Sequence, residues 1–489
     1  MSAETKLQLL PIRWFAVKEA DMQRMIDDRQ RVSPQISDLM IAASAQSVHH
    51  RPGVVAEARR LAGLLDGLDQ RWPTGAQVRS LLQRDPAAVE HYTLHEDGER
   101  WYLRSPALDD YERPFARNRW CLVWQAPAGM EAITADGPEL LDMMRLMPLL
   151  DGSYSLDRVI AELAGNEPAR RLLLALSGSG VLREGPATPL ELERIPPFLF
   201  LGHSGLAVRH GEHLLVVDPV GRPDNERLSG QRPLYQLLNR ASLIVISHHH
   251  WDHLDFQTLT RIRRDVPMIV PACERPSASN PPMAPYLREL GFVDVREHRP
   301  GEIVSLGGLE LRLAQFRGEA FGLDSHFDAF TYHLRFGARV LYGSVDACHD
   351  EVGGMDEIIE QVASWGSPDL FLFGSSEQEH RKPYLAGGLR HFSNELQWHP
   401  ELLRYHPDVD DVARWTRILR PTWLVPYAQF LFGGSVRPDL RLSSAVVRPE
   451  QLGDDVESRH RSWLSQLGRL GDRVGRPVAL LSAMQGIGD

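Results

Sequence analysis

One stretch limits the folds open to this chain more than any other. A strand-like apolar run, Ala241-Ser-Leu-Ile-Val-Ile246, leads straight into Ser247-His-His-His-Trp-Asp-His-Leu-Asp255. The run is short, continuous and rich in branched residues, which reads as a strand buried on both faces. The loop behind it holds His248, His250, Asp252 and His253, metal-ligating side chains packed into six residues. Imidazole and carboxylate are the usual ligands of zinc, iron and manganese. A loop leaving a strand can place alternate residues on one ion and its last pair on a neighbouring ion. Three histidines and a carboxylate at this spacing weigh heavily against an ordinary polar surface turn.

Composition narrows what surrounds that strand. At 489 residues the chain has room for two or three domains. The net charge of −11 argues against nucleic acid or an anionic membrane as the main partner. Cys121, Cys273 and Cys348 are far apart and form no CxxC pair, disulfide framework or iron–sulfur pattern. With no apolar run of membrane-spanning length and no signal-peptide profile, a reducing cytoplasm is the expected compartment.

Along the chain, residues 1–95 read as a helical N-terminal region. Val54, Val55, Ala58, Leu61, Leu64, Leu65 and Leu68 recur at helical spacing. Residues 96–185 read as a small α+β module: short strands, helices around a Leu149-Leu-Asp-Gly152 turn, and a terminal strand. That order resembles winged-helix peptide-recognition modules. A Pro- and Glu-rich linker, 186–197, leads into a catalytic domain over 197–489. There, strands alternate with helices in two strand-rich halves, compatible with an αβ/βα sandwich.

Four pieces of this domain, in this order, carry a specific resemblance. They are Leu201-Gly-His203-Ser-Gly205, Asp218-Pro219, the loop His248-x-His250-x-Asp252-His253, and Ser344-Val-Asp346. Together they resemble the metallo-β-lactamase fold over about 197–440. The fold class implied is α/β, a metallo-β-lactamase αβ/βα sandwich with an additional α+β N-terminal region. The resemblance assigns Asp346 as the carboxylate between the two ions. Two histidines usual in that family are absent. At Gln315-Phe-Arg-Gly-Glu319 the nearest ligand is Glu319, and the segment Pro426-Tyr-Ala-Gln-Phe430 has none.

A set of His248, His250, Asp252, His253, Glu319 and Asp346 is richer in oxygen than a hydrolytic dizinc site. It suits iron or manganese, and the missing ligand opens a coordination position. This departure resembles the diiron oxygenase branch of the fold, which includes a chloramphenicol-pathway β-hydroxylase of a carrier-bound amino acid. The resemblance implies two iron ions, dioxygen as co-substrate, an external electron donor and a carrier protein or peptide as partner. Its product class is an oxidised amino acid or peptide in natural-product biosynthesis. A homodimer is compatible with the sequence. The competing expectation is a dinuclear zinc or manganese hydrolase of a lactone, phosphoester or amide. His203, Asp255 and Glu377 are expected behind the ligands, as orienting groups.

Overall fold

The computed structural model describes residues 5–9, 14–18, 75–84, 93–97, 100–104, 115, 119–186, 190–220, 234–250, 253–318, 328–348, 354–374, 381–382, 403–404, 407–427, 467–478 and 485–487, less 275, 277–279, 281 and 468. The amphipathic stretch Val54 to Leu68 lies outside these residues.

The first strands are β1 (Thr5–Leu9), β2 (Trp14–Lys18), β3 (Thr93–Asp97) and β4 (Arg100–Arg104). They precede β5 (Arg119–Ala126), β6 (Gly129–Asp136) and β7 (Leu182–Pro186). The expectation of a helical 1–95 is therefore corrected where strands are described, at 5–9, 14–18 and 93–97. Within that span the described residues hold one helix, Gly75–Arg84, alongside strands. The reason is long-range pairing, which overrides local pattern. β1 pairs with β7, and β2 pairs with β5 to make the three-stranded sheet β2-β5-β6. Chain before residue 96 thus completes the small α+β module.

The helices of that module start where the sequence supplies caps. Asp136 accepts from the Glu139 N–H before Gly137–Met144, Ser155 from Arg158 before Leu156–Glu162, and Asn166 from Ala169 before Glu167–Gly178. Each side chain satisfies a backbone donor that the first helical turn leaves open.

Two larger sheets follow. One contains β8 (Phe198–Gly202), β9 (Gly205–His210), β10 (His213–Val217), β11 (Leu243–Val245), β12 (Met268–Pro271) and β13 (Val295–His298). The other is built from β14 (Ile303–Leu306), β15 (Leu309–Gln315), β16 (Phe330–Phe336), β17 (Arg339–Gly343) and β18 (Leu370–Phe373). A separate two-stranded ribbon joins β19 (Arg381–Lys382) to β20 (Leu403–Arg404). The last strands are β21 (Trp423–Pro426) and β22 (Gln485–Ile487). The sheet orders are β13-β12-β11-β10-β9-β8-β22 and β14-β15-β16-β17-β18-β21.

Alternation along the strands shows why these sheets stack. Phe198, Phe200, Leu215, Val217, Leu243, Val245 and Ile269 face a core shared with Leu311, Leu313, Phe330 and Leu334 of the second sheet. Their neighbours Leu199, Leu201, Leu214, Val216, Ile244, Met268 and Val270 face the opposite way. That second layer also contains Leu7, Trp120, Leu122, Trp124, Leu140 and Leu172, so the N-terminal module covers the back of the first sheet. A period of two puts successive side chains on opposite faces, and two buried faces require the continuous apolar runs seen in the sequence. The αβ/βα sandwich expected from the sequence is present. No helix among the described residues is long and apolar enough to cross a membrane.

Candidate metal centre

Strands β10, β11 and β12 run parallel, as do β17, β18 and β21. Parallel strands deliver their following residues to one edge of a sheet, the usual place for a site in open α/β architecture. Asp218 leaves β10 at that edge, the loop from Ser247 leaves β11, Asp346 follows β17, and Tyr427 follows β21.

There His248, His253 and Asp346 come together, with their ligand atoms all within 4.8 Å of one another and all three residues buried. The rings of His248 and His253 are 3.9 Å apart between centroids, and those of His248 and His250 are 4.6 Å apart. Asp218, fully buried, ties the loop down. It accepts from the Ser247 N–H at 2.7 Å, from Ser247 Oγ at 2.6 Å and from His253 Nδ1 at 2.9 Å.

Proton counting follows from these contacts. The Ser247 hydroxyl gives its one proton to Asp218, so its oxygen accepts from His248 Nδ1 at 2.9 Å. His248 therefore keeps its lone pair on Nε2, the form a metal needs. Burial first, then the neighbouring imidazoles His253, His250, His249 and His203, hold His248 well below the usual histidine range. Burial also disfavours a charge on His253. There the Asp346 and Asp218 carboxylates prevail and raise it well above that range. Its Nε2 lies 3.0 Å from Asp346 Oδ2, so one proton sits between two ligand atoms. A cation can replace that proton while Nδ1 stays bonded to Asp218, the carboxylate–histidine arrangement that fixes a metal-binding imidazole.

Three of the four non-glycine residues with left-handed backbone among those described sit here: His203 (φ 51°), Asp218 (φ 42°) and Val345 (φ 53°). Such conformations cost on the order of 1–3 kcal/mol each and persist only where surroundings over-determine them. Val345, being β-branched, is the strongest outlier. Its N–H donates to Tyr427 Oη at 2.7 Å and its carbonyl accepts from Gly374 N at 3.0 Å. Asp346 Oδ1, buried beside Gly374, meets no hydrogen-bond donor. An orphaned carboxylate oxygen among imidazoles is a ligand atom in waiting.

Of the expected site residues, the structure brings His248, His253 and Asp346 together and sets half-buried His250 against His248. Asp252, Glu319 and Glu377 lie outside the described residues. His203 stacks edge-on against His253 at 5.6 Å. Asp255, expected behind the ligands, also has a local task. It caps the helix Phe256–Thr260, accepting from the Thr258 N–H at 2.9 Å and from the Thr258 hydroxyl. A Ser/Thr/Asp/Asn at the start of a helix is its ordinary cap, and that signal was available in Asp255-Phe-Gln-Thr258. Sequence reasoning did not assign Asp218 or Ser247 to the site. The one available signal was an aspartate at the end of an apolar strand. Nothing local marks Tyr427.

A model of the β-lactamase superfamily domain matches residues 213–421. The crystal structure of CmlA, a diiron beta-hydroxylase from Streptomyces venezuelae, superposes over 98% of this chain and 99% of that one, with a TM-score of 0.58 at 18% identity. The chain has the metallo-β-lactamase fold. In sequence, this metallo-β-lactamase-fold chain is 28% identical over 263 residues to the 4-amino-L-phenylalanyl-[CmlP-peptidyl-carrier-protein] 3-hydroxylase of Streptomyces venezuelae. That match covers 49% of each chain, so the alignment spans about half the length of the curated relative. It is also 33% identical over 136 residues to the cytidine monophosphate-N-acetylneuraminic acid hydroxylase of Cricetulus griseus, covering 26% of this chain and 24% of that one.

Proposed function

We propose that the chain is a non-haem diiron oxygenase. Its reaction uses dioxygen to hydroxylate or otherwise oxidise an amino acid or peptide, presented on a carrier protein or leader, in natural-product biosynthesis. One observation carries the reading: a buried, metal-competent His248–His253–Asp346 cluster stands where two strand ends meet, and the segment Pro426-Tyr-Ala-Gln-Phe430 at the third strand end carries no histidine in its sequence. Oxygen-rich donors favour iron over zinc. The curated relative at 28% identity acts, by its name, on a carrier-bound amino acid, which supports the substrate class.

In this proposal His248, His250, Asp252, His253, Glu319 and Asp346 would hold the two ions. The ions supply the redox chemistry that side chains lack. The protein's own part is positional. Asp218 holds His253 by Nδ1, Ser247 holds His248 by Nδ1, and burial keeps water from the ligand atoms of His248, His253 and Asp346. Cys121, Cys273 and Cys348 are too scattered in the sequence to supply an iron–sulfur centre, so an external donor supplies electrons. A reducing cytoplasm suits those thiols.

Metal analysis tests the proposal. Protein from iron-replete culture is expected to hold about two irons per chain, as a dinuclear site requires, with a near-ultraviolet oxo-bridge band. Two zincs and full turnover in anaerobic buffer would replace it with the hydrolase. Glu319→Ala is expected to lose iron, and unchanged iron content removes Glu319 from the ligand set.

A further inference from the structure

The most unusual backbone among the described residues lies one residue before Asp346. A valine in the left-handed region does not stay there unaided. Val345 is pinned on both sides of its Cα. Its N–H ends on Tyr427 Oη at 2.7 Å, and its carbonyl takes the Gly374 N–H at 3.0 Å. The phenol is itself fixed, since Tyr332 Oη donates to it at 3.3 Å and both rings are buried. Gly343 leaves room for this arrangement: a Cβ there would come within 2.2 Å of the Tyr332 ring. The pair therefore reaches from the interior of the second sheet to the one turn that aims Asp346 at His253.

We infer that Tyr427 is a positioning residue for the metal centre: its hydroxyl holds Val345 left-handed and thereby presents the Asp346 carboxylate to the bound ions. This rests on the metal-centre reading above. The geometry separates the tyrosine from a plain core residue, because the ring fills space while the hydroxyl takes the Val345 N–H.

The test uses the full chain, stripped of metal and titrated anaerobically with Fe(II), and in parallel with Zn(II), by calorimetry. Tyr427→Phe keeps the ring and removes the hydroxyl. Fe(II) affinity is expected to fall about 10–100-fold, the usual range for losing a group that orients a ligand. Glycine adopts positive φ without penalty. Adding Val345→Gly to Tyr427→Phe is therefore expected to recover most of the loss. A purely structural role would lower the melting temperature and leave the titration unchanged. Unchanged affinity in Tyr427→Phe, or a loss that Val345→Gly does not relieve, overturns the inference. If Tyr427→Phe fails to fold, Tyr332→Phe takes its place. A smaller fall of the same sign supports the inference, and an unchanged titration overturns it. Wild-type protein that binds neither ion would instead remove the metal-centre reading, and binding of Zn(II) in preference to Fe(II) would change the metal while leaving the role of Tyr427 to be read from the Zn(II) arm.

Discussion

The two strand ends that build the centre are made in opposite ways. The loop after β11 carries its candidate ligands within six residues and is tied locally, through Ser247, to Asp218 on the adjacent strand. The turn after β17 offers one ligand, Asp346, and depends on distant chain. Its restraints come from Gly374 beyond β18 and Tyr427 beyond β21. A site can thus concentrate its metal chemistry in one half and its mechanical precision in the other. The first half tolerates neighbours that shift, because its ligands move together. The second half is more exposed to such shifts, because it has a single carboxylate and, apart from the Ala347 N–H bond to the Ser344 carbonyl, its restraints among the described residues come from distant chain.

The largest expected effect comes from breaking the first half at Asp218, which takes three of its hydrogen bonds. Asp218→Asn preserves shape, and asparagine tolerates a positive φ. It places an amide donor against the donors of Ser247 and His253. Loss of an orienting carboxylate costs about 10–100-fold in metal affinity, so a titration near the wild-type value would show that the loop holds itself without Asp218.

A smaller effect is expected from the second half. A Cβ on Gly374 would stand 2.7 Å from the Val345 carbonyl oxygen and 3.0 Å from Asp346 Oδ1. Backbone must move to admit it. Gly374→Ala is expected to cost about 1–3 kcal/mol in urea unfolding, as overpacking does, together with a several-fold loss of metal affinity. A stability loss with an unaltered titration would mean that the Asp346 turn adjusts more freely than its restraints imply.

The same asymmetry explains what could be read from the sequence. The paired sheets were legible because strands buried on both faces must be continuously apolar, as in Leu214 to Val217 and Leu243 to Ile246. The loop was legible because its ligands are consecutive. Asp346 became visible only through its order after the other pieces. Asp218's grip on His253 and Tyr427's on Val345 bridge strands far apart in sequence, and no local pattern encodes either. β1 and β2 were missed for the same reason, since their partners β7 and β5 lie more than a hundred residues on. Asp255 carries the opposite kind of signal, a cap legible locally in Asp255-Phe-Gln-Thr258.

The smallest expected effect tests whether a third region enters the comparison. The Leu149-Leu-Asp-Gly152 turn of the N-terminal module docks on the first sheet through Asp151, whose Oδ2 takes Asn239 Nδ2 at 2.9 Å. Asn239 Oδ1 in turn accepts from the Arg263 N–H at 2.8 Å. Asn239→Ala leaves a carboxylate oxygen and a backbone donor without these partners, which costs about 1–3 kcal/mol by chemical denaturation. Metal affinity is expected to stay unchanged, because the contact sits on the face of the first sheet away from the ligands. One route could still connect them. Phe115 of the module packs its ring 5.9 Å from Phe256, the first residue of the helix that Asp255 caps. A joint loss of stability and metal affinity in Asn239→Ala would make that aromatic contact a working link. The ligand loop would then depend on the module behind it as the Asp346 turn depends on Tyr427.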